Sequence, residues 1–216
     1  MRRFWIGIGG VLVLISAVLG IMLLLPPEEQ VRLKAEGGPI ESASAIGYLV
    51  VAVVLLFLTE QGFIRRHWHL LVLLCAMAAR EMDFDKRFTT LGVLKSRFYI
   101  GDSVPWDERL LGGGVVLLVL YALWRLVMPN LRTVWMTRWR WDYPVWTVLF
   151  AGGFVVFTKA IDGIGRKLAP LGIELNTDVD RLFAVIEEVL ELGIPLLLGV
   201  GVVMKVVTIR QKRAQG

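Results

Sequence analysis

The chain is poor in the residues on which most enzyme chemistry depends. It has one cysteine, Cys75, and two histidines, His67 and His69, in 216 residues. A single cysteine excludes a disulfide within the chain, and its place inside an apolar run predicts a small core residue rather than a reactive thiol. Two histidines two positions apart do not make the H-E-x-x-H zinc helix, and the chain has no third histidine to complete a zinc or haem centre. They also exclude membrane phosphatases with a histidine nucleophile and the multi-histidine intramembrane hydrolases, so an interfacial position is expected for both. No serine stands in a G-x-S-x-G elbow. No G-x-G-x-x-G follows a strand to open a helix, so no flavin or nucleotide fingerprint is present. Internal repeats, low-complexity tracts and a soluble domain are all missing.

Hydrophobic side chains are what the chain has in excess. They make up 56% of it, with a mean hydropathy of +0.65, whereas soluble domains sit near about 45–50%. The composition predicts an all-α polytopic membrane protein. Residues 1–216 form a single transmembrane domain of six helices in one bundle, with spans at about 4–25, 45–64, 68–88, 110–128, 144–162 and 182–207. Each approaches the roughly 20 residues needed to cross a ~30 Å hydrocarbon core. The third does so only if helix continues from the apolar stretch Leu70–Ala79 through the charged "REMDFDKRF". The first begins "MRRFWIGIGG" like a signal peptide. It continues for 22 residues to "LLLPPEEQ" without a small-residue cleavage site, and is expected to stay.

Charge gives the orientation. Lys and Arg gather at cytoplasmic ends. With the N-terminus inside and six spans, the inner side collects Arg2, Arg3, Arg65, Arg66, Arg125, Arg132, Arg138, Arg140, Lys205, Arg210, Lys212 and Arg213. These are half of the 24 basic residues, and only Glu60 and Asp142 of the 19 acids join them. Without a third span, Arg65–Arg66 and Arg132–Arg140 could not both lie inside. The expected setting is a bacterial-type inner membrane with both termini cytoplasmic. Trp135, Trp139, Trp141 and Trp146, alternating with Arg138 and Arg140, read as an interfacial belt rather than a nucleic-acid patch. Gly7, Gly9, Gly10, Gly112–Gly114, Gly152, Gly153, Gly199 and Gly201 are expected where helices pack closely.

Several spans carry charges that lipid would not tolerate. At 1.5 Å per residue, Arg80 and Glu81 stand ~18–20 Å above the inner surface and Lys159 ~8 Å below the outer one, with Asp162 near that surface; Glu187 and Glu188 lie ~9–10 Å deep and Glu191 ~15 Å deep. Such charges cost roughly 2.5–3.5 kcal/mol each even on lenient scales, so they face inward and pair. Arg80 is expected to meet the carboxylates of the last span and Glu81 to meet Lys159. Glu81 with Asp85, and Glu187 with Glu191, are i,i+4 pairs sharing a helix face. Glu60, in "TEQ", is a further buried-polar candidate opposite Arg65 or Arg125.

The function expected is a charged pocket in the outer-leaflet half that binds a polar ligand, either a cation or proton coupled to transport or a lipid headgroup. Arg80, Lys159 and Arg166 would hold anionic groups, with Asp162 beside them. Glu81, Asp85, Glu187, Glu188 and Glu191 would hold a cation, act as acid and base, or ligate a divalent ion such as Ca²⁺ or Mg²⁺. One alternative is a carboxylate- or metal-dependent enzyme that modifies lipids in the membrane. The other is a non-catalytic subunit or assembly factor of a membrane complex. Expected partners are membrane lipid and a membrane protein or a second copy, with no nucleic acid. Two motifs were weighed and set aside. "DFD" (Asp83–Asp85) is too short to specify a metal-nucleotide site. "AIDGIGRKLAPLGIELNTDVD" is similar to the D-G-x-x-A-R signature of CDP-alcohol phosphotransferases at Asp162, Gly163 and Arg166. It departs at Gly165 and Lys159, and its later glycine and aspartates are out of step.

Overall fold

The structure is a computed structural model that describes residues 2–35, 37–89, 91–101, 103–136 and 143–214. All the regular structure among them is helical: α1 (Arg2–Leu24), α2 (Pro27–Leu33), α3 (Pro39–Leu58), α4 (Gln61–Glu81), α5 (Phe84–Phe88), α6 (Ser96–Ile100), α7 (Trp106–Met136), α8 (Tyr143–Ile161), α9 (Ile164–Leu168) with a 3-10 turn at Ala169–Leu171, and α10 (Thr177–Ala214). The chain divides into two compact units, residues 1–47 with 142–216, and residues 48–141.

The first unit is built on α10, against which α1 and α8 pack. On α1 the buried residues are Phe4, Ile8, Val11, Ile15 and Met22, a stripe at helical spacing. The remaining face is as apolar but exposed, with Ile6 64%, Val13 70% and Leu24 87% accessible. A helix that is greasy all round and buried on one stripe has lipid as its solvent. Small residues set the helix spacing. A Cβ on Gly7 would meet Val200 at 2.9 Å, one on Gly193 would meet Phe154 at 2.8 Å and Ile15 at 3.3 Å, and one on Gly201 would meet Thr147 at 2.5 Å. These pairs run in opposite senses along the chain, so α1 and α8 are both antiparallel to α10. Gly47 makes room for Pro195 in the same way. At the α1 N-terminal end Trp5 packs edge-on to Trp146, with centroids 5.5 Å apart, and both rings meet Phe150.

In the second unit α4 packs on α7 and α5. It buries His69, Leu74, Ala78 and Glu81. Trp68 stacks on Tyr121 at 6.0 Å. Arg125 lies over the Trp68 ring and donates to the Arg66 carbonyl at 3.2 Å. Phe98 is fully buried against Gly112. Pro105 precedes α7, and Arg109 lies over Trp106, 5.3 Å from its ring centroid.

Several expectations are corrected. Among the described residues four helices are long and apolar enough to cross a membrane: Arg2–Leu24, Pro39–Leu58, Trp106–Pro129 and Thr177–Thr208. They become five if the bent pair Trp146–Ile161 and Ile164–Leu171 is one span, not six. The missing one is α4, because Arg65, Arg66, His67 and His69 fill its first turns and Arg80 and Glu81 its last. Nor does that helix reach residue 88. It ends at Glu81, and Asp83 turns left-handed (φ 50°) before α5 starts. Glu81 and Asp85 therefore do not share a helix face. The second run ends at Leu58 rather than near 64, with Glu60 at the N-cap position of α4. Cys75 is exposed, because it sits one residue off the stripe that buries Leu74 and Ala78. His69 is buried within the protein, and His67, non-helical in backbone, stacks on Phe63. Gly9, Gly10, Gly114, Gly152 and Gly153 have nothing within 4 Å of an added Cβ, so close packing does not explain them. Of the expected belt, Trp139, Trp141, Arg138 and Arg140 lie outside the described residues, as does the Trp135 side chain.

Candidate functional site: a charged cluster where α8 breaks

The site begins with a chain break that the sequence encodes as Asp-Gly. Asp162 follows the last turn of α8, and Gly163 adopts φ 57°, a left-handed conformation that suits glycine. The chain then bends by 61° into α9. A helix that stops leaves its final carbonyls without intrahelical N–H partners. Lys167 returns from α9 to supply them, its ammonium donating to the Lys159 carbonyl at 2.7 Å and the Ala160 carbonyl at 3.5 Å. The Gly165 N–H donates to Asp180 Oδ1 at 3.2 Å, which ties α9 to the first turn of α10.

Lys159 stands at the centre of this corner. Its Nζ donates to Asp162 Oδ2 at 3.0 Å and lies 3.9 Å from Glu187 Oε1 and 3.8 Å from Glu191 Oε1. Arg166 reaches the other oxygen of Asp162 at 3.9 Å. The two α10 carboxylates are recessed, with side chains 15% and 12% accessible, while Lys159 is 45% and Arg166 87% accessible. The acids thus form the floor and the bases the rim. Glu187 and Glu191 owe their common direction to i,i+4 spacing; Glu188 is turned ~100° from Glu187 along the same helix. Pro195 has no N–H to offer the carbonyl of Glu191 four residues earlier, so α10 is loosened at the level of the cluster. The C-terminal end of the α8 dipole adds negative potential there. Asp162, Glu187 and Glu191 thus gather around Lys159, with Arg166 at the rim on Asp162 and Lys167 on the terminal carbonyls of α8.

In the second unit Arg80 lies 3.9 Å from the buried Glu81, and Lys86 2.9 Å from Asp83. The Thr89 hydroxyl donates to the Asp85 carbonyl. The expected pairings of Arg80 with the α10 carboxylates and of Glu81 with Lys159 run from one unit to the other; the cluster described here lies within the first. Among the described residues no three His, Cys, Asp or Glu side chains converge as ligands for a metal ion. Of the expected divalent-ion set, Glu81 and Asp85 belong to one unit and Glu187, Glu188 and Glu191 to the other; the Lys159 ammonium stands where Glu187 and Glu191 would direct a cation.

The span read at about 144–162 ends where α8 does, at the turn signal Asp162-Gly163, but sequence reasoning missed the bend into α9, the Lys167 cap and the Asp180 tie. A second feature of α8 is an open, wholly apolar groove of about 550 Å³ lined by Val148, Leu149, Gly152, Gly153, Val156, Phe157 and Ala160. Comparison with known proteins finds no matching family model, no similar curated protein and no similar solved structure.

Proposed function

We propose that the chain is a polytopic protein of a bacterial-type inner membrane that couples a proton or monovalent cation to transport at the break in α8. The observation that carries this reading is the Lys159 ammonium held among Asp162, Glu187 and Glu191 at that break. Interrupted helices within membranes place charged groups and helix ends around a site that a continuous helix would close. Lys159 acts as the resident counter-charge. A proton or cation that reaches Glu187 and Glu191 replaces it there, and the lysine keeps its hydrogen bond to Asp162.

Topology supports a six-crossing reading with both termini cytoplasmic. Because α1 and α8 are both antiparallel to α10, α8 starts on the side where α1 starts. The intervening chain must then cross an odd number of times. With α3 and α7 crossing, α4 is the third. Its flanking charges are tolerable because most of its residues between Leu70 and Ala79 are at least half-buried by protein rather than bare to lipid. The basic residues Arg2, Arg3, Lys205 and Arg210 then share the cytoplasmic side.

The test is flux. Purified protein in sealed liposomes, under an imposed pH or Na⁺ gradient, should dissipate that gradient measurably faster than empty liposomes. Glu191→Gln should abolish the excess flux while the protein still elutes as a folded particle. Wild-type flux equal to that of empty liposomes under both gradients would overturn the reading.

A further inference from the structure

We propose that the first unit carries a binding site for one anionic phospholipid, with its phosphate at the basic end and one acyl chain in the α8 groove. This surface is distinct from the charged cluster and does not depend on the transport reading.

The basic end assembles from α1 and α10. Gly7 touches Val200 across the α1–α10 contact. Arg3 lies ~6 Å beyond Gly7, and Lys205 ~7.5 Å beyond Val200, toward the same end, so the two stand at one height. Arg2, Arg3, Lys205 and Arg210 are all exposed. No acid occurs in residues 2–25 or 192–214, and Asp142, just before α8 in sequence, is the one acid near the start of that helix. Trp5 and Trp146 pack together at this end, which suits the headgroup level, where amphipathic rings settle. Clustered Lys and Arg beside a span attract anionic headgroups, each contributing on the order of 1 kcal/mol.

The groove gives the lipid its second contact. It runs from Val148, two residues beyond Trp146, to Ala160, with Gly152 and Gly153 along it. That is ~18 Å of helix, close to the ~15 Å of one leaflet of a ~30 Å core. Both glycines have open space where a side chain would be, although Val156 and Phe157 flank them. A headgroup at the level of Trp146 would lay an acyl chain along the whole length of the groove.

The experiment uses the full chain in neutral detergent, with tryptophan fluorescence quenched by phosphatidylglycerol bearing brominated acyl chains, and by phosphatidylcholine bearing the same chains. Phosphatidylglycerol should quench at lower concentration, and added NaCl should erase the difference. Arg2→Gln, Arg3→Gln and Lys205→Gln should each weaken the phosphatidylglycerol response by roughly fivefold, equivalent to ~1 kcal/mol. Gly153→Leu, which fills the groove, should weaken quenching by both lipids. Equal quenching by the two lipids in the wild-type protein would overturn the phosphate site, and needs no variant that folds. Unchanged quenching in Gly153→Leu would overturn the groove.

Discussion

Lys159 is the residue on which the cluster turns. It is the base that reaches both Glu187 and Glu191, whose recessed carboxylates have poor access to water. Removing it alone leaves like charges facing each other. Lys159→Met should destabilise the protein by about 1–2 kcal/mol, less than for a fully buried pair because Lys159 is itself half-exposed. Adding Glu187→Gln and Glu191→Gln to Lys159→Met should recover most of that loss. Unfolding midpoints in detergent for the single and triple variants check it, and additive losses would show that the three groups are not coupled. At this scale the sequence was informative about which residues are charged within spans, and poor about who meets whom. The i,i+4 relation of Glu187 and Glu191 was readable because α10 is continuous there. The supposed relation of Glu81 and Asp85 failed because one left-handed residue, Asp83, ends the helix between them.

Among the elements, α8 and α10 show what glycine does at a helix contact. Gly201 faces Thr147 with no room for a methyl group, while Gly152 and Gly153 face open space. Gly201→Leu should therefore push the helices apart and cost about 1–3 kcal/mol. Gly152→Ala should be neutral or stabilising by up to about 1 kcal/mol, since it only improves helix propensity. Thermal unfolding of the two variants side by side separates them, and equal losses would contradict the assigned contact. Sequence alone marks all these glycines alike. Only the direction each faces divides those that permit contact from those that line a groove, and direction depends on which neighbour packs against the helix. Helix ends were legible where proline or an Asp-Gly pair marks them, as at Pro26–Pro27 and Asp162–Gly163. They were not legible where hydropathy alone was used, as at Leu58.

At the level of the whole molecule, the apolar excess announced a membrane protein, and the helices agree. The number of crossings was the harder question, because α4 is too polar at its ends to qualify on hydropathy. On the proposed reading α4 crosses too, because α1 and α8 point the same way. Single cysteines placed by Gln61→Cys and Lys86→Cys in a Cys75→Ser background should react with a membrane-impermeant maleimide from opposite sides. In oriented vesicles only the residue 86 site should label from outside. Labelling of both from one side would return α4 to the surface and leave five crossings at most.

The length of α10 has a mechanical consequence. From Glu191 to Ala214 the helix extends ~35 Å, and Pro195 lies just after the start of that stretch. A change of ~5° at the proline, such as a lost proton or displaced lysine next to it would favour, sweeps the far end by ~3 Å. Bond-scale events at the carboxylates would thus be geared up into movement large enough for a neighbour on the opposite face of the membrane to sense.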